Sequence, residues 1–208
     1  MKYRIHSFRH AEIILNNEPT FSTVWNELLT AINSMTDDEI IEHHENNPRL
    51  AKSISESINN ILKTKLVHLG WNEESYIFQD DEYSGNRWRL DFAKDSISVE
   101  VAFNHGEAIA WNLIKPVLAG ELNHVKKEIE TEIGVIICAT KDLKTKGGFD
   151  GAVGEYEKFL TYLNPLRDVL SVPIVIIGLE APESFEIDVQ KIDGKKQGIV
   201  KLLNEDIQ

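Results

Sequence analysis

Two acidic residues on a predicted β-hairpin have the types and spacing that metal-dependent chemistry requires. The pattern predicts one strand over 87–94 that contains Asp91, a tight polar turn, and a second strand over 97–103 that contains Glu100. Such a hairpin can bring both carboxylates to one edge of a sheet. Hard divalent cations prefer oxygen ligands from different segments, and these cations promote phosphodiester hydrolysis. The hairpin is therefore the candidate centre for this chemistry.

The alternation of side chains in the second strand bears on the role of Glu100. It shares one face with Ser98 and Ala102, and the valines on either side of it point to the other face. The position of this carboxylate between two valines favours a functional role over that of an ordinary solvated surface residue. The spacing of the two acidic residues does not decide the matter, because many proteins carry Asp and Glu at this separation. A surface carboxylate therefore stays an open alternative.

The composition is that of an ordinary globular chain with an acidic surface. Of its 208 residues, 42% are hydrophobic and 27% are charged, and the formal net charge is −12. This charge counts against nucleic-acid binding, because phosphate contacts need Lys and Arg. The total charge does not, however, determine the local charge of one concave binding face. The single cysteine, Cys138, allows no disulfide framework and favours a cytoplasmic location. We expect neither a signal peptide nor a membrane span, since no apolar run reaches about 18 residues.

The order of helical and strand patterns predicts the fold class. Thr36 opens a short acidic helix through a capping box, and Pro116 is expected to bend or interrupt the helix that follows the hairpin. The further predicted elements are helices over 21–34, 48–70, 107–119, 125–132 and 152–163, a strand over 75–79, and a Lys- and Gly-rich loop over 141–151. Two continuous apolar runs, Val135–Thr140 and Pro173–Leu179, predict central strands covered on both faces. Together these patterns predict an α/β sandwich with a mixed sheet.

Several segments together resemble one group of nucleases. Leu90-Asp91-Phe92, followed by Val99-Glu100-Val101-Ala102-Phe103-Asn104, is similar to the active-site hairpin of the BglII and BstYI restriction endonucleases, relatives of BamHI. His10–Leu15 and Gly70-Trp71 resemble the N-terminal segment and the end of the early helix in that group. The apolar runs that begin at Val135 and Pro173 resemble its later core strands, so the resemblance covers about residues 1 to 180.

The resemblance implies a restriction-endonuclease-like α/β fold, with a mixed β-sheet flanked by helices on both faces. It implies a single PD-(D/E)XK nuclease domain over 1–208, with a helical N-terminal region. Asp91 and Glu100 would then be the paired Mg²⁺ ligands, and Glu74 would support the metal unless it is only part of a solvated acidic turn. The implied activity is that of a type II restriction endonuclease. Such an enzyme binds double-stranded DNA as a homodimer and cuts both strands of a short palindrome, here one that contains GATC.

Ala102 departs from the family pattern at the third position of the motif. A Lys is usual there, and a Gln or Glu in this subfamily, whereas a methyl group can neither hold a metal nor position water. The polar function could have moved to Lys126 or Lys127, or Glu74 could supply enough coordination. Alternatively, the chain is cleavage-defective, by nature or by engineering, and binds specific DNA sequences on the same scaffold. An acidic α/β protein-interaction domain is the remaining alternative.

Two segments are candidates for DNA contact. Asn104 and His105 follow the second strand and can read base edges, although a strand-to-helix turn capped by Asn104 also explains them. Lys144 and Lys146, together with Gly147-Gly148, belong to the predicted loop, which the resemblance places near the major groove. Glycine amides there could approach phosphates closely. A solvated surface loop is the alternative for this second segment.

Overall fold

The computed structural model describes residues 1–47, 51–79, 85, 88–121 and 130–203. Its strands are β1 (Tyr3–Phe8), β2 (Asn72–Tyr76), β3 (Arg89–Lys94), β4 (Ile97–Val101), β5 (Ile133–Ala139), β6 (Ile174–Leu179), β7 (Phe185–Ile192) and β8 (Lys195–Leu202). Its helices are α1 (Ala11–Asn17), α2 (Pro19–Asn33), α3 (Asp37–Glu45), α4 (Ser55–His68), α5 (Ile109–Glu121), α6 (Lys141–Lys146) and α7 (Tyr156–Leu163), with a 3₁₀ turn at Gly106–Ala108.

Six of the described strands form one sheet in the order β1-β6-β5-β4-β3-β2. β4, β5 and β6 are parallel to one another, whereas β1 pairs antiparallel with β6, and β2, β3 and β4 form an antiparallel meander. β5 and β6 are buried along their whole length, as their continuous apolar sequences predict. The predicted α/β class with a mixed sheet is confirmed.

Alternate residues of the central strands face two different helical layers. In β5, Val135 and Ile137 pack in a cluster with residues of α1, α2 and α4, whereas Ile136 and Cys138 pack with residues of α5 and α7. Helices therefore cover both faces of the sheet, as predicted. Glu100 pairs with Ile136 in the parallel register of β4 and β5, so the side chain of Glu100 faces the α5 layer.

Three predicted element boundaries are wrong for local reasons. The helix predicted over 48–70 begins at Ser55, because the backbone of Ala51 and Ile54 bonds to distant segments instead of to a helical turn. Residues 48–50 lie outside the described residues. The strand predicted over 75–79 lies at Asn72–Tyr76, directly after the helix-ending Gly70, which has a φ of 82°. The helix predicted over 152–163 begins only at Tyr156.

The loop predicted over 141–151 contains the helix α6, so this prediction is wrong for its first half. The Thr140 hydroxyl accepts a hydrogen bond from the backbone N–H of Leu143 at 3.2 Å and so caps the helix. Leu143 is buried, which anchors α6 to the core. Gly147 ends the helix, and Gly148 follows with a φ of 72°, a conformation that glycine adopts without strain.

The sequence analysis does not predict β1, α1 or the β7–β8 hairpin. β7 and β8 form a separate two-stranded sheet, and Phe185 and Ile187 of β7 are buried in the main core. Of the helix predicted over 125–132, residues 125–129 lie outside the described residues, and residues 130–132 are not helical, so this part of the prediction is wrong. No helix in the described part of the chain has the length and apolar character that crossing a membrane requires.

Candidate active site

Asp91 and Glu100 occupy facing positions on the antiparallel strands β3 and β4. Phe92 and Val99 form the last pair of this ladder, so Asp91 and Glu100 are the next residues on the two strands, at the point where regular pairing ends. The charge of Asp91 acts on Glu100, and the Asp91 side chain bonds to the residue after Glu100. The hairpin therefore brings the two predicted carboxylates together.

The backbone of β4 holds the carboxylate of Asp91. Its Oδ2 accepts a hydrogen bond from the backbone N–H of Val101 at 2.6 Å. Burial raises the pKa of Asp91, while this hydrogen bond and the charge of Lys115 oppose the rise, and the charge of Glu74 adds to it. Asp91 is thus a desolvated acid whose negative charge is only partly compensated.

Glu100 is a buried acid, with 2% of its surface exposed. Desolvation and the neighbouring charge of Asp91 raise the pKa of Glu100 to about 8, against the opposing effects of Lys115 and of the backbone N–H of Asp91. Glu100 Oε2 accepts a hydrogen bond from Lys115 Nζ at 2.6 Å, whereas Oε1 is buried and has no hydrogen-bond partner among the described residues. Because a buried acceptor without a partner is costly, Oε1 is the atom of this site that most needs a ligand.

Lys115 is a functional candidate that the sequence analysis missed. It lies in the middle of α5, where its neighbours along the chain are Ile114 and Pro116, and 9% of its surface is exposed. A buried lysine almost always has a charged partner, since an isolated buried ammonium is very costly. A lone lysine within an apolar helix is therefore the sequence signal that identifies it.

The helix α5 approaches the sheet closely, and this approach places Lys115 over Glu100. A Cβ atom on Gly134 of β5 would lie 2.6 Å from Cβ and 2.7 Å from Cγ of Pro116. Further along α5, a Cβ atom on Gly120 would lie 2.6 Å from the carbonyl oxygen of Thr131. Both contacts are too short for any side chain, so the two glycines permit the packing of the helix.

Glu74 lies opposite Asp91 on β2, because the residues on either side of it pair with the residues on either side of Asp91. Its φ is 51°, which is uncommon for a residue other than glycine. The exposed carboxylate of Glu74 lies 3.5 Å from the guanidinium of Arg89. Glu74 therefore acts on Asp91 through its charge, and its side chain does not join the buried pair.

A cleft of about 250 Å³ opens beside Asp91. Its walls come from α4 and the hairpin strands, and they consist of Asn59, Asn60, Lys63, Glu73, Glu74, Asp91, Phe92 and Val101. Lys63 forms an ion pair with Glu73, and Oδ1 of Asn59 is buried without a hydrogen-bond partner among the described residues. A larger cavity of about 660 Å³ lies between α3 and α4, but none of the hairpin carboxylates lines it. The smaller cleft is therefore the route by which a ligand reaches Asp91.

The donor atoms fit a divalent cation with an incomplete protein shell. Asp91 and Glu100 are neighbouring carboxylates, Asp91 is half-buried, and Glu100 is buried with Oε1 unpartnered among the described residues, which suits a hard cation that prefers oxygen. Among the residues that the structure describes, no three His, Cys, Asp or Glu side chains form a complete metal cluster. Mg²⁺ commonly uses one or two protein carboxylates and completes its shell with water and substrate phosphate. The two carboxylates are therefore sufficient protein ligands for Mg²⁺.

The strand predicted over 97–103 ends at Val101, so Ala102 directly follows β4, and it is buried beneath α5. It belongs to an apolar cluster that includes Ile109 and Leu113, and 1% of its surface is exposed. Lys126 and Lys127, the predicted sources of a displaced polar function, lie outside the described residues. The described cation that reaches Glu100 is Lys115.

Asn104 and His105 follow β4 on the exposed surface. The side chain of Asn104 is paired with that of the buried Asn112, whose Nδ2 donates to Asn104 Oδ1 at 3.0 Å. His105 precedes the 3₁₀ turn, and its exposed side chain makes no capping hydrogen bond. Asn104 is thus held by α5, whereas the His105 ring faces solvent. Contact of either residue with DNA stays a prediction.

The end of α6 lies beside this segment, because the rings of Phe103 and Phe149 contact each other edge-on with centroids 5.3 Å apart. Lys144 Nζ lies 2.6 Å from a carboxylate oxygen of Glu155, and both side chains are largely buried. Lys146 pairs with Asp142 at 3.1 Å on the surface, with 40% of its side chain exposed. Lys146 is therefore more accessible than Lys144 to a phosphate.

Gly147 and Gly148 are buried, and the geometry favours a packing role for both. The N–H of Gly147 donates to the carbonyl oxygen of Leu143 at 2.7 Å. A Cβ atom on Gly148 would lie 2.7 Å from both the carbonyl oxygen of Lys52 and the side chain of Ile187. Phosphate contact through these two glycines stays a prediction.

The chain matches the family model described as "Restriction endonuclease BglII/BglIII" over residues 3–179. It belongs to the BglII/BglIII restriction endonuclease family. The match spans β1 to β6 and therefore includes the whole six-stranded sheet with Asp91 and Glu100. Membership of this family supports the predicted enzyme class, a type II restriction endonuclease and thus a deoxyribonuclease.

Two solved structures share the fold. A crystal structure of restriction endonuclease BglII complexed with a DNA 16-mer aligns with a TM-score of 0.67 at 20% identity, over 98% of this chain and 100% of that one. The crystal structure of free BglII aligns over the same shares with a TM-score of 0.58 at 19% identity. The predicted mixed sheet with helices on both faces is therefore that of a BglII-like restriction endonuclease. No curated protein matches the chain.

Proposed function

We propose that the protein is a type II restriction endonuclease that hydrolyses both strands of a short DNA palindrome in a Mg²⁺-dependent reaction. The observation that carries the proposal is the pair of facing carboxylates, Asp91 and Glu100, within the BglII/BglIII family match. The partnerless Oε1 of Glu100 supports Mg²⁺ at this pair. We also propose that residues 1–208 form one PD-(D/E)XK nuclease domain related to BstYI and BamHI.

Asp91 and Glu100 would hold Mg²⁺ between them. When bound, the ion lowers the pKa of a coordinated water and neutralises charge that develops on the scissile phosphate. The Val101 N–H anchors one oxygen of Asp91, and Lys115 anchors one oxygen of Glu100. Each carboxylate therefore keeps its second oxygen for the ion in a preset orientation, which reduces reorganisation during the reaction. Glu74 adds negative charge at the rim of the site.

Double-stranded DNA is the proposed substrate and partner. The exposed ring of His105 is suited to a base edge, with Asn104 beside it, and the accessible ammonium of Lys146 is suited to a phosphate. Lys144 would add to the local positive charge. The solved structure of BglII in complex with a DNA 16-mer supports DNA as the partner.

A homodimer is the proposed working unit. Cutting both strands of a palindrome calls for one hairpin site per half-site, related by a two-fold axis. A palindrome that contains GATC is the proposed target. Sedimentation analysis of the protein tests the dimer. A protein that stays monomeric when bound to a duplex that it can cleave would contradict this proposal.

Digestion of an unmethylated DNA of known sequence tests the activity. Discrete fragments are expected with Mg²⁺ and none with EDTA, and mapping of the ends gives the site and the cut position. Ends that map to no common palindrome contradict the proposed specificity. The absence of cleavage by the unaltered chain in Mg²⁺ contradicts nuclease function.

Ala102 favours one alternative, a cleavage-defective protein that binds specific DNA sequences on the same fold. Retardation of one duplex in Ca²⁺, with no products in Mg²⁺, would select this alternative. A failure to retard any duplex at low salt would instead favour an acidic α/β protein-interaction domain.

A further inference from the structure

We infer that Lys115 supplies, from α5, the polar function that the hairpin lacks at Ala102. Lys115 is a positioning residue that acts through Glu100, a role that rests on the proposed nuclease function. The polar group usual at the third position of the motif has therefore moved from the strand to the helix that covers it.

The ion pair between Lys115 and Glu100 is buried to a degree that stability alone does not explain. Nζ lies 2.6 Å from Oε2, and the two side chains are 11% and 3% exposed. Removing two charges from water is expensive, and well-packed hydrophobic residues in place of a buried ion pair are often as stable or more stable. Because the pair brings little net stability, its geometry points to a role in orienting Glu100.

Lys115 anchors one oxygen of Glu100 and leaves the other available. Oε2 accepts the hydrogen bond from the ammonium, and Oε1 has no hydrogen-bond partner among the described residues. A carboxylate held at one oxygen presents the other in a fixed direction. Groups that orient a metal ligand in this way commonly determine both metal affinity and activity.

The packing around Ala102 explains why the polar group comes from the helix. Ala102 is buried against the apolar face of α5, with Ile109 and Leu113 in the same cluster. The close approach of Pro116 to Gly134 fixes α5 against the sheet. A long side chain at position 102 would have to displace this helix, whereas Lys115 already lies within it and reaches Glu100.

Two substitutions of Lys115 separate positioning from charge compensation. Lys115→Arg keeps the positive charge but moves its donors, and Lys115→Met removes the charge while keeping a long unbranched chain. If Lys115 positions Glu100, both variants cleave DNA in Mg²⁺ about 10- to 100-fold more slowly in single-turnover assays. Both still bind the duplex in Ca²⁺ with the unaltered affinity. A folded Lys115→Arg protein that cleaves at the full rate would overturn the inference, because a mere counter-ion tolerates that change.

An exchange of the two side chains tests the proposed migration directly. The double variant Ala102→Lys/Lys115→Ala returns the amine to the strand and conserves total side-chain volume between β4 and α5. We expect it to regain part of the cleavage rate that the single Lys115→Ala change removes. A double variant that folds and binds DNA but shows no gain over Lys115→Ala would overturn the migration.

Lys94→Met is the matched control for these variants. Lys94 Nζ also lies 2.6 Å from a carboxylate oxygen, that of Glu27, in a partly buried ion pair at the turn end of β3. We expect Lys94→Met to change the urea midpoint and to leave the cleavage rate unaltered. A rate loss in this variant equal to that of the Lys115 variants counts against a specific role for Lys115.

An unaltered chain that cleaves no DNA contradicts the nuclease function itself. An active chain whose Lys115 variants are equally active contradicts the Lys115 inference alone.

Discussion

Asp91 of β3 accepts a hydrogen bond at 2.6 Å from the backbone N–H of Val101, the residue that follows Glu100 in β4. The second strand therefore fixes the carboxylate of the first, at the point where the ladder between them ends. This arrangement couples the geometry of the two acidic residues to the hairpin backbone. Glu100 is bonded in addition from outside the hairpin, by Lys115 of α5.

Asp91→Asn is expected to abolish most cleavage without unfolding the protein. The amide oxygen can still accept the bond from Val101, and the substitution removes a partly desolvated negative charge beside Glu100. The free energy of unfolding should therefore not fall. The cleavage rate should fall by at least about 100-fold, the scale of losing one preorganised electrostatic group.

The comparison variant is Glu74→Gln, because the carboxylate of Glu74 is exposed and paired with Arg89. Single-turnover cleavage and urea unfolding should be measured for both variants. A larger rate loss in Glu74→Gln than in Asp91→Asn would reverse the assignment of the principal metal ligands.

The sequence was sufficient to predict the elements that are defined locally. The apolar runs at β5 and β6 predicted buried central strands, and the Asp91–Glu100 hairpin was predicted from alternation and its polar turn. The β7–β8 hairpin was missed although Asp193 and Gly194 have positive φ values in its turn, the conformation that an Asp-Gly pair favours. Reading that dipeptide as a hairpin turn would have located both strands.

The part of the site that depends on tertiary packing could not be predicted. Lys115 and Glu100 are fifteen residues apart on different elements, and their contact depends on the close approach of α5 to β5. The facing position of Glu74 depends on the register of β2, whose boundaries the sequence analysis placed three residues too late at each end. Periodicity gives the face of an element but not its neighbours in space.

The metal-free protein is expected to lose stability as the pH rises from about 4.5 to about 8. Glu100 has a pKa of about 8 in the folded protein, against 4.5 as its ordinary value. In this interval the folded state binds more protons than the unfolded state, so ionisation favours unfolding. The loss should be on the order of a few kcal/mol, because each unit of pKa difference is worth about 1.4 kcal/mol. Urea unfolding in EDTA across this interval measures it.

Glu100→Gln should flatten this pH dependence, since an amide does not ionise. Glu45→Gln, at an exposed position in the last turn of α3, is the matched control and should keep the slope of the unaltered protein. The same slope in the Glu100→Gln variant would show that Glu100 does not titrate in this interval. Added Mg²⁺ should restore stability at the upper end, because the cation binds the ionised form.

Gly134→Ala is expected to destabilise the protein and to disturb the site from a distance. The new methyl group would meet the ring of Pro116 at 2.6–2.7 Å, so α5 must move away from β5. Overpacking of this kind costs about 1–3 kcal/mol in the free energy of unfolding. Because Lys115 precedes Pro116, the cleavage rate should fall as well.

Gly151→Ala is the control for this prediction, since a Cβ atom there meets nothing within 4 Å. Its unfolding free energy should stay within about 0.5 kcal/mol of the unaltered value. Urea denaturation of the two alanine variants gives the comparison. Equal stability of both would mean that the packing of Pro116 on Gly134 adapts without cost.

Lys146→Gln is expected to weaken DNA binding and to reduce its dependence on salt. Lys146 is 40% exposed, and in the described part of the chain it pairs with Asp142 at 3.1 Å on the surface, so its ammonium can exchange that carboxylate for a phosphate. Each phosphate contact that is lost lowers the slope of log affinity against log salt concentration by about 0.9. The measurement is a binding titration in Ca²⁺ at several salt concentrations. Lys191→Gln, an exposed lysine on β7, removes the same charge and should leave the slope unchanged. If the two variants share one slope, Lys146 makes no phosphate contact and the affinity change reflects net charge alone.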